Sequence, residues 1–265
     1  MHISVTGNGP AIVLVHGWAL QGDVFAPLVR RLSPHFTLHV VDLPGHGRSR
    51  DDATPLRLPD VVEAIAQATP PAVWCGWSLG GLFALHAAAT LAQLQGLVMI
   101  ASSPRFVRGD DWPQGVQPAL FDQFARDLAD DHAGTVDRFL ALDLMHAGTG
   151  PDDLRGLRQR LIDAGPPHPR VPHEGSQLLQ ATDLRGSLPD LRCPSLWLAG
   201  RRDRLASPAS LQAAAALAPA ASAITIEHGG HAPFLGHADQ VAAHLQQFVT
   251  DPMVAGAGAQ PDNKG

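Results

Sequence analysis

Ser78 stands in Gly76-Trp77-Ser78-Leu79-Gly80, with a glycine two positions away on each side. A serine hydroxyl is a weak nucleophile at neutral pH. It needs a base to take its proton and an acid to orient that base. Further along the chain, Asp203 follows Gly200-Arg201-Arg202, and His231 follows His228-Gly229-Gly230. The order Ser, Asp, His fits acyl transfer through a covalent serine ester. Among the 14 histidines, His228 is the nearest rival to His231. The glycine pair before His231 suits display on a tight loop. Asp190 and Glu227 compete with Asp203, but one precedes a predicted strand and the other lies within one.

A glycine pattern this short occurs by chance, so its setting decides. Apolar runs at Ala11–Val15, Phe36–Val41, Ala72–Trp77, Leu94–Ala101, Ser195–Ala199 and Ala223–Glu227 read as buried strands. Helical spacing marks Phe25–Leu32, Leu58–Ala68, Leu79–Leu91, Ser207–Leu217 and His237–Val249. The alternation predicts a mostly parallel sheet covered by helices on both faces, an α/β-hydrolase fold. Ser78 then sits in a sharp turn from strand to helix. Side chains at positions 76 and 80 would collide with the adjoining elements there. Asp203 and His231 follow the ends of later strands, where open α/β sheets place their sites.

An oxyanion made at Ser78 needs two backbone N–H donors. Leu79, next after the serine, supplies one. Trp18, in the loop after Ala11–Val15, is expected to supply the other. His16 in that loop reads as a buttress held by hydrogen bonds. No ligand spacing for a metal stands out, and no cofactor is expected. Cys75 and Cys193 lie in apolar runs and read as buried core thiols.

Residues 104–185 break the rhythm. Helical patterns at Pro118–Asp131, Thr135–His146, Pro151–Asp163 and His173–Asp183 replace strands. The expected organisation is a core over 1–103 and 186–250, a helical lid over 104–185, and a disordered tail over 251–265. With 265 residues, 17% charged and a net charge of −6, the chain is ordinary for a globular protein and is not built to hold nucleic acid. Met1–Val5 shows no signal peptide, and no stretch approaches the ~20 apolar residues that span a bilayer. A soluble cytoplasmic monomer with no membrane partner is the expectation.

Several stretches resemble one family in particular. They are His16-Gly17-Trp18-Ala19-Leu20, Val41-Asp42-Leu43-Pro44-Gly45-His46-Gly47-Arg48-Ser49, Gly76-Trp77-Ser78-Leu79-Gly80-Gly81, Ala101-Ser102-Ser103-Pro104, Arg138-Phe139-Leu140-Ala141-Leu142 and His231-Ala232-Pro233-Phe234. Together they are similar to the BioH family, carboxylesterases of biotin synthesis that cleave pimeloyl-[acyl-carrier protein] methyl ester. Trp77 and the Arg138–Leu142 run are the most specific of these. The resemblance implies a triad of Ser78, Asp203 and His231. It implies substrate contacts from Trp18, Ser78, Leu79, Phe139, Leu140, Ala141, Leu142, Asp143 and His231. It also implies docking of an acidic acyl-carrier protein on lid arginines, for which Arg138, Arg155 and Arg158 are the counterparts. Asp143 departs from the family's glutamine, and two family arginines are replaced by Gly134 and Pro151. The lid holds 9 arginines against 13 acidic residues, so any docking patch is local. A solvated helix face is the competing reading of Arg155, Arg158 and Arg160.

Overall fold

A computed structural model of the chain describes residues 1–92, 94–144 and 151–255, without the side chains of 142–144, 151–155 and 255. The strands are β1 (His2–Thr6), β2 (Ala11–Val15), β3 (Thr37–Asp42), β4 (Val73–Trp77), β5 (Gly96–Ile100), β6 (Ser195–Gly200) and β7 (Ala221–Ile226). They form one sheet in the order β1-β3-β2-β4-β5-β6-β7. All neighbours are parallel except β1, which runs antiparallel to β3.

The helices are α1 (Ala26–Leu32), α2 (Leu58–Ala68), α3 (Leu79–Thr90), α4 (Ala119–Asp130), α5 (His132–Leu144), α6 (Pro151–Asp163), α7 (Val171–Ala181), α8 (Pro208–Ala215), α9 (Pro233–Gly236), α10 (Ala238–Val249) and α11 (Pro252–Ala255). Helices α4 to α7 form an insertion between β5 and β6. This is the stretch where the sequence shows helical patterns and no strand.

Successive strand residues serve opposite faces of the sheet. Val13 and Val15 join one buried cluster, with Met99 and Trp197. Ile12 and Leu14 join the other, with Val98 and Leu198. Both faces are therefore dry over β2 to β6, and those strands read as apolar runs. β7, expected to be buried, is instead an edge strand in which only Ile226 is fully buried. The pattern behind β1 is different. His2 to Val5 alternates polar and apolar residues at a half-exposed edge, and the strand is absent from the sequence reading. Cys75 and Cys193 are free and buried, as expected. Burial raises both thiols, Cys193 to about 11. No described helix is long and apolar enough to cross a membrane. Most of the tail read as disordered, 256–265, lies outside the described residues, and 252–255 form α11.

Candidate active site

Strand β4 ends at Trp77, and α3 begins at Leu79. Ser78 alone makes the turn, with φ 53° and ψ −123°. A side-chain-bearing residue rarely adopts that region, and holding it there requires support. Ser78 N–H donates to the Ile100 carbonyl at 3.0 Å. Its own carbonyl accepts from Gly81 N–H at 2.9 Å and from the Ser102 hydroxyl at 2.7 Å. The flanking glycines are steric necessities. A Cβ on Gly76 would lie 2.4 Å from the Gly80 carbonyl oxygen, and one on Gly80 would lie 2.1 Å from that of Val15.

Asp203 lies beyond the end of β6 and His231 beyond the end of β7. The two loops approach closely because residue 200 is glycine. A Cβ there would stand 2.0 Å from the Gly230 oxygen. The three side chains form one hydrogen-bonded line. Ser78 Oγ donates to His231 Nε2 at 2.8 Å, and His231 Nδ1 donates to Asp203 Oδ2 at 2.8 Å. The other carboxylate oxygen of Asp203 accepts from Leu205 N–H at 2.8 Å and Ala206 N–H at 3.0 Å. These donors suit an ionised carboxylate. Trp77 braces the line from the side. Its indole N–H donates to the His231 carbonyl at 2.7 Å, and its ring packs against His231, Phe139 and Phe234.

The loop after β2 faces the serine from the other side. Among the described residues, neither Trp18 N–H nor Leu79 N–H donates to another group. Leu79 opens α3, where first-turn N–H groups have no partner within the helix. The Trp18 loop is shaped by two buried histidines. Leu43 N–H donates to His16 Nε2 at 3.0 Å, and His16 Nδ1 meets the Gly17 carbonyl at 2.7 Å. Ala19, at φ 62°, donates to His46 Nε2 at 3.2 Å. Burial lowers the pKa of both rings, that of His46 to about 3 with help from neighbouring His16. Both therefore stay neutral and serve as fixed acceptors. His16 is the buttress that the sequence suggests. Above the loop, the Trp18 indole donates to the Val171 carbonyl at 3.1 Å and packs edge-on against Phe124.

A cavity of about 610 Å³ opens over Ser78 and His231 beneath the helical insertion. Apolar side chains from Trp18, Phe121, Phe124, Val136 and Phe139 form much of its wall. Among the described side chains of the resemblance's 139–143 run, Phe139 lines it. Leu140 and Ala141 are corrected in this respect. Each helical residue turns about 100° from the last, so Leu140 is buried in the packed interior and Ala141 is exposed. The side chains of Leu142 and Asp143 lie outside the described residues, as does that of Arg155. Arg138 contacts the Thr135 hydroxyl at 2.8 Å and Asp131 at 3.7 Å, and Arg158 pairs with Asp137. Phe121, Phe124, Arg202 and Arg204 also line the cavity, with no signal in the sequence pointing to them as site residues, and so does His228, the rival base, which does not join the hydrogen-bonded line. Amphipathic spacing in α4 was the available signal for the two phenylalanines. Among the described residues, no group of three His, Cys, Asp or Glu side chains could hold a metal.

The α/β hydrolase family profile matches residues 12–244. A Stenotrophomonas maltophilia protein described as pimeloyl-[acyl-carrier protein] methyl ester esterase is 69% identical over 94% of this chain and 96% of its own length. One from Xanthomonas oryzae pv. oryzae with the same description is 64% identical over 94% and 98%. Among solved structures, an esterase from Exiguobacterium antarcticum superposes with a TM-score of 0.84 at 19% identity, covering 94% of this chain and 95% of that one. An enol-lactonase from Burkholderia xenovorans superposes with a TM-score of 0.76 at 22% identity, covering 94% and 96%. These two show the fold alone. On the profile and the high-identity relatives, the chain belongs to the α/β hydrolases and, among them, to the BioH family of esterases.

Proposed function

We propose that this chain hydrolyses pimeloyl-[acyl-carrier protein] methyl ester to pimeloyl-[acyl-carrier protein] and methanol in biotin synthesis. The observation that carries the proposal is the hydrogen-bonded line Ser78–His231–Asp203 at the floor of an apolar cavity. His231 takes the Ser78 proton as Oγ attacks the ester carbon. The N–H groups of Trp18 and Leu79 hold the oxyanion, each worth ~3 kcal/mol. His231 then returns the proton to the departing methanol. Water, deprotonated by the same imidazole, releases the acid. Asp203 stays ionised and fixes the tautomer. Neither a metal nor a cofactor enters any step. Trp18 and Phe139 would grip the methylenes, each buried CH₂ contributing ~0.8 kcal/mol.

The reading includes residues 104–185 as a lid over a core formed by 1–103 and 186–250. It also includes docking of the carrier through Arg138, Arg155 and Arg158, and a cytoplasmic monomer as the working form. Arg138 and Arg158 already face lid carboxylates, which favours a second reading. In it, the enzyme is a general short-chain carboxylesterase, or a related C–C bond hydrolase of the same fold, that makes little use of the carrier. Steady-state kinetics with methyl pimeloyl carrier protein and with p-nitrophenyl butyrate separate the two. The first reading expects the carrier substrate to have the higher kcat/KM, lowered by Arg138→Glu or Arg155→Glu. Equal kcat/KM values, unmoved by those substitutions, would establish the second. Gel filtration checks the monomer.

A further inference from the structure

The cavity carries charge that the ester reaction does not use. Arg202 and Arg204 flank Asp203 in the chain, and both line the cavity with Ser78. Arginines elsewhere typically face carboxylates: Arg48 pairs with Asp42, Arg185 with Asp183, and adjacent Arg201 with Glu227. Among the described residues, no carboxylate pairs with Arg202 or Arg204. Asp203 between them turns its oxygens to His231, Leu205 and Ala206. Instead, Arg202 Nη2 donates to His228 Nδ1 at 3.3 Å. His228 is held at φ 66° and also lines the cavity. A left-handed backbone at a side-chain-bearing residue is uncommon, and here it fixes the group on which the guanidinium rests.

We propose that Arg202 and Arg204 form an anion subsite for a carboxylate at the far end of the acyl chain. The enzyme then also hydrolyses methyl half-esters of free dicarboxylic acids of about seven carbons. Reach supports this ligand over a phosphate. With C–C bonds of ~1.5 Å, the two carboxyl carbons of an extended seven-carbon diacid stand about 8 Å apart. Ser78 Oγ is separated from the Asp203 carboxylate by two hydrogen bonds of 2.8 Å and one imidazole, and the exposed arginines on either side of Asp203 in the chain line the same cavity as Ser78. The phosphate of a carrier's prosthetic arm lies some thirteen bonds beyond the thioester, roughly another 16 Å. It would overshoot this rim. A carboxylate brought into an apolar cavity needs a charged partner, and a guanidinium fork matches its two oxygens.

The inference rests on Ser78 as nucleophile. Oγ bonds to the ester carbon, and methoxide leaves as methanol with the proton that His231 took from Ser78. Water then cleaves the acyl-enzyme, yielding the free dicarboxylate and one proton.

The test compares kcat/KM for monomethyl pimelate and dimethyl pimelate, in the wild type and in the Arg202→Gln/Arg204→Gln double variant. The expected result is a half-ester to diester ratio lowered at least tenfold in the variant. A ratio unchanged within twofold would overturn the subsite. A second measurement does not depend on turnover. Calorimetry on Ser78→Ala, with and without the two glutamines, should show binding of monomethyl pimelate weakened about tenfold by them. Equal Kd values would also overturn it. Arginine-dependent binding without turnover of monomethyl pimelate, while dimethyl pimelate is still cleaved, would overturn the half-ester hydrolysis; loss of turnover on both esters would instead count against Ser78 as nucleophile and keep the subsite.

Discussion

Acid should destabilise this protein through the histidine that shapes the Trp18 loop. His46 is fully buried, with both ring nitrogens committed: Nε2 accepts from Ala19 N–H at 3.2 Å and Nδ1 donates to the Pro44 carbonyl at 3.0 Å. Burial, with the adjacent His16, lowers its pKa from 6.5 to about 3. The unfolded chain therefore binds a proton below about pH 6.5 that the native chain refuses until about pH 3. Stability from this group is complete above pH 6.5 and is lost as the pH falls through that window. Between pH 7.5 and 5.0 the loss works out at about 2 kcal/mol, near 1.4 kcal/mol for each pH unit below the unfolded value. The perturbation that isolates it is His46→Asn, whose amide can still accept from one neighbour and donate to another. Urea unfolding at several pH values, fitted with a common m-value, gives the two slopes. The variant should be less stable at pH 7.5, and its loss on going to pH 5.0 should be about 2 kcal/mol smaller than the wild type's. Parallel pH dependences in the two proteins would refute the reasoning, because His46 would then titrate alike folded and unfolded.

Other substitutions probe the frame around the serine. Gly80→Ala drives a methyl group to 2.1 Å from the Val15 carbonyl oxygen. It should destabilise the fold by about 1–3 kcal/mol, seen as a lowered urea midpoint. Gly175→Ala puts a methyl group 2.2 Å from the Trp18 indole nitrogen. The displaced ring should raise KM for acyl esters, while the urea midpoint moves less than in Gly80→Ala. Asp203→Asn keeps the shape of the side chain but reverses the tautomer of His231. It should lower kcat by ~10⁴ while the protein still folds by circular dichroism.

The site was legible where chain order and local sterics determine it. Gly76 and Gly80 announce a turn too tight for side chains, and the loop at Asp203 follows an apolar run that had to be a buried strand, while the loop at His231 follows the half-exposed edge strand β7. β1 escaped because one polar-alternating edge strand of five residues resembles many exposed segments. The cavity wall escaped for another reason. A helical run such as Arg138–Leu142 shows its period but not which residue meets the cavity, and only packing places Phe139 there and Leu140 in the interior. Arg202 and Arg204 carry no signal in the sequence beyond their place on either side of Asp203, and the contact of Arg202 with His228 joins two loops, which no local pattern reveals.

The central claim is that Ser78 performs the ester cleavage. Hydrolysis of methyl pimeloyl carrier protein, followed by methanol release, tests it most directly when the wild type is set beside Ser78→Ala. The account predicts a loss of at least ~10⁴-fold in kcat, with the variant folded and still binding the substrate. A Ser78→Ala enzyme within tenfold of the wild type would contradict it.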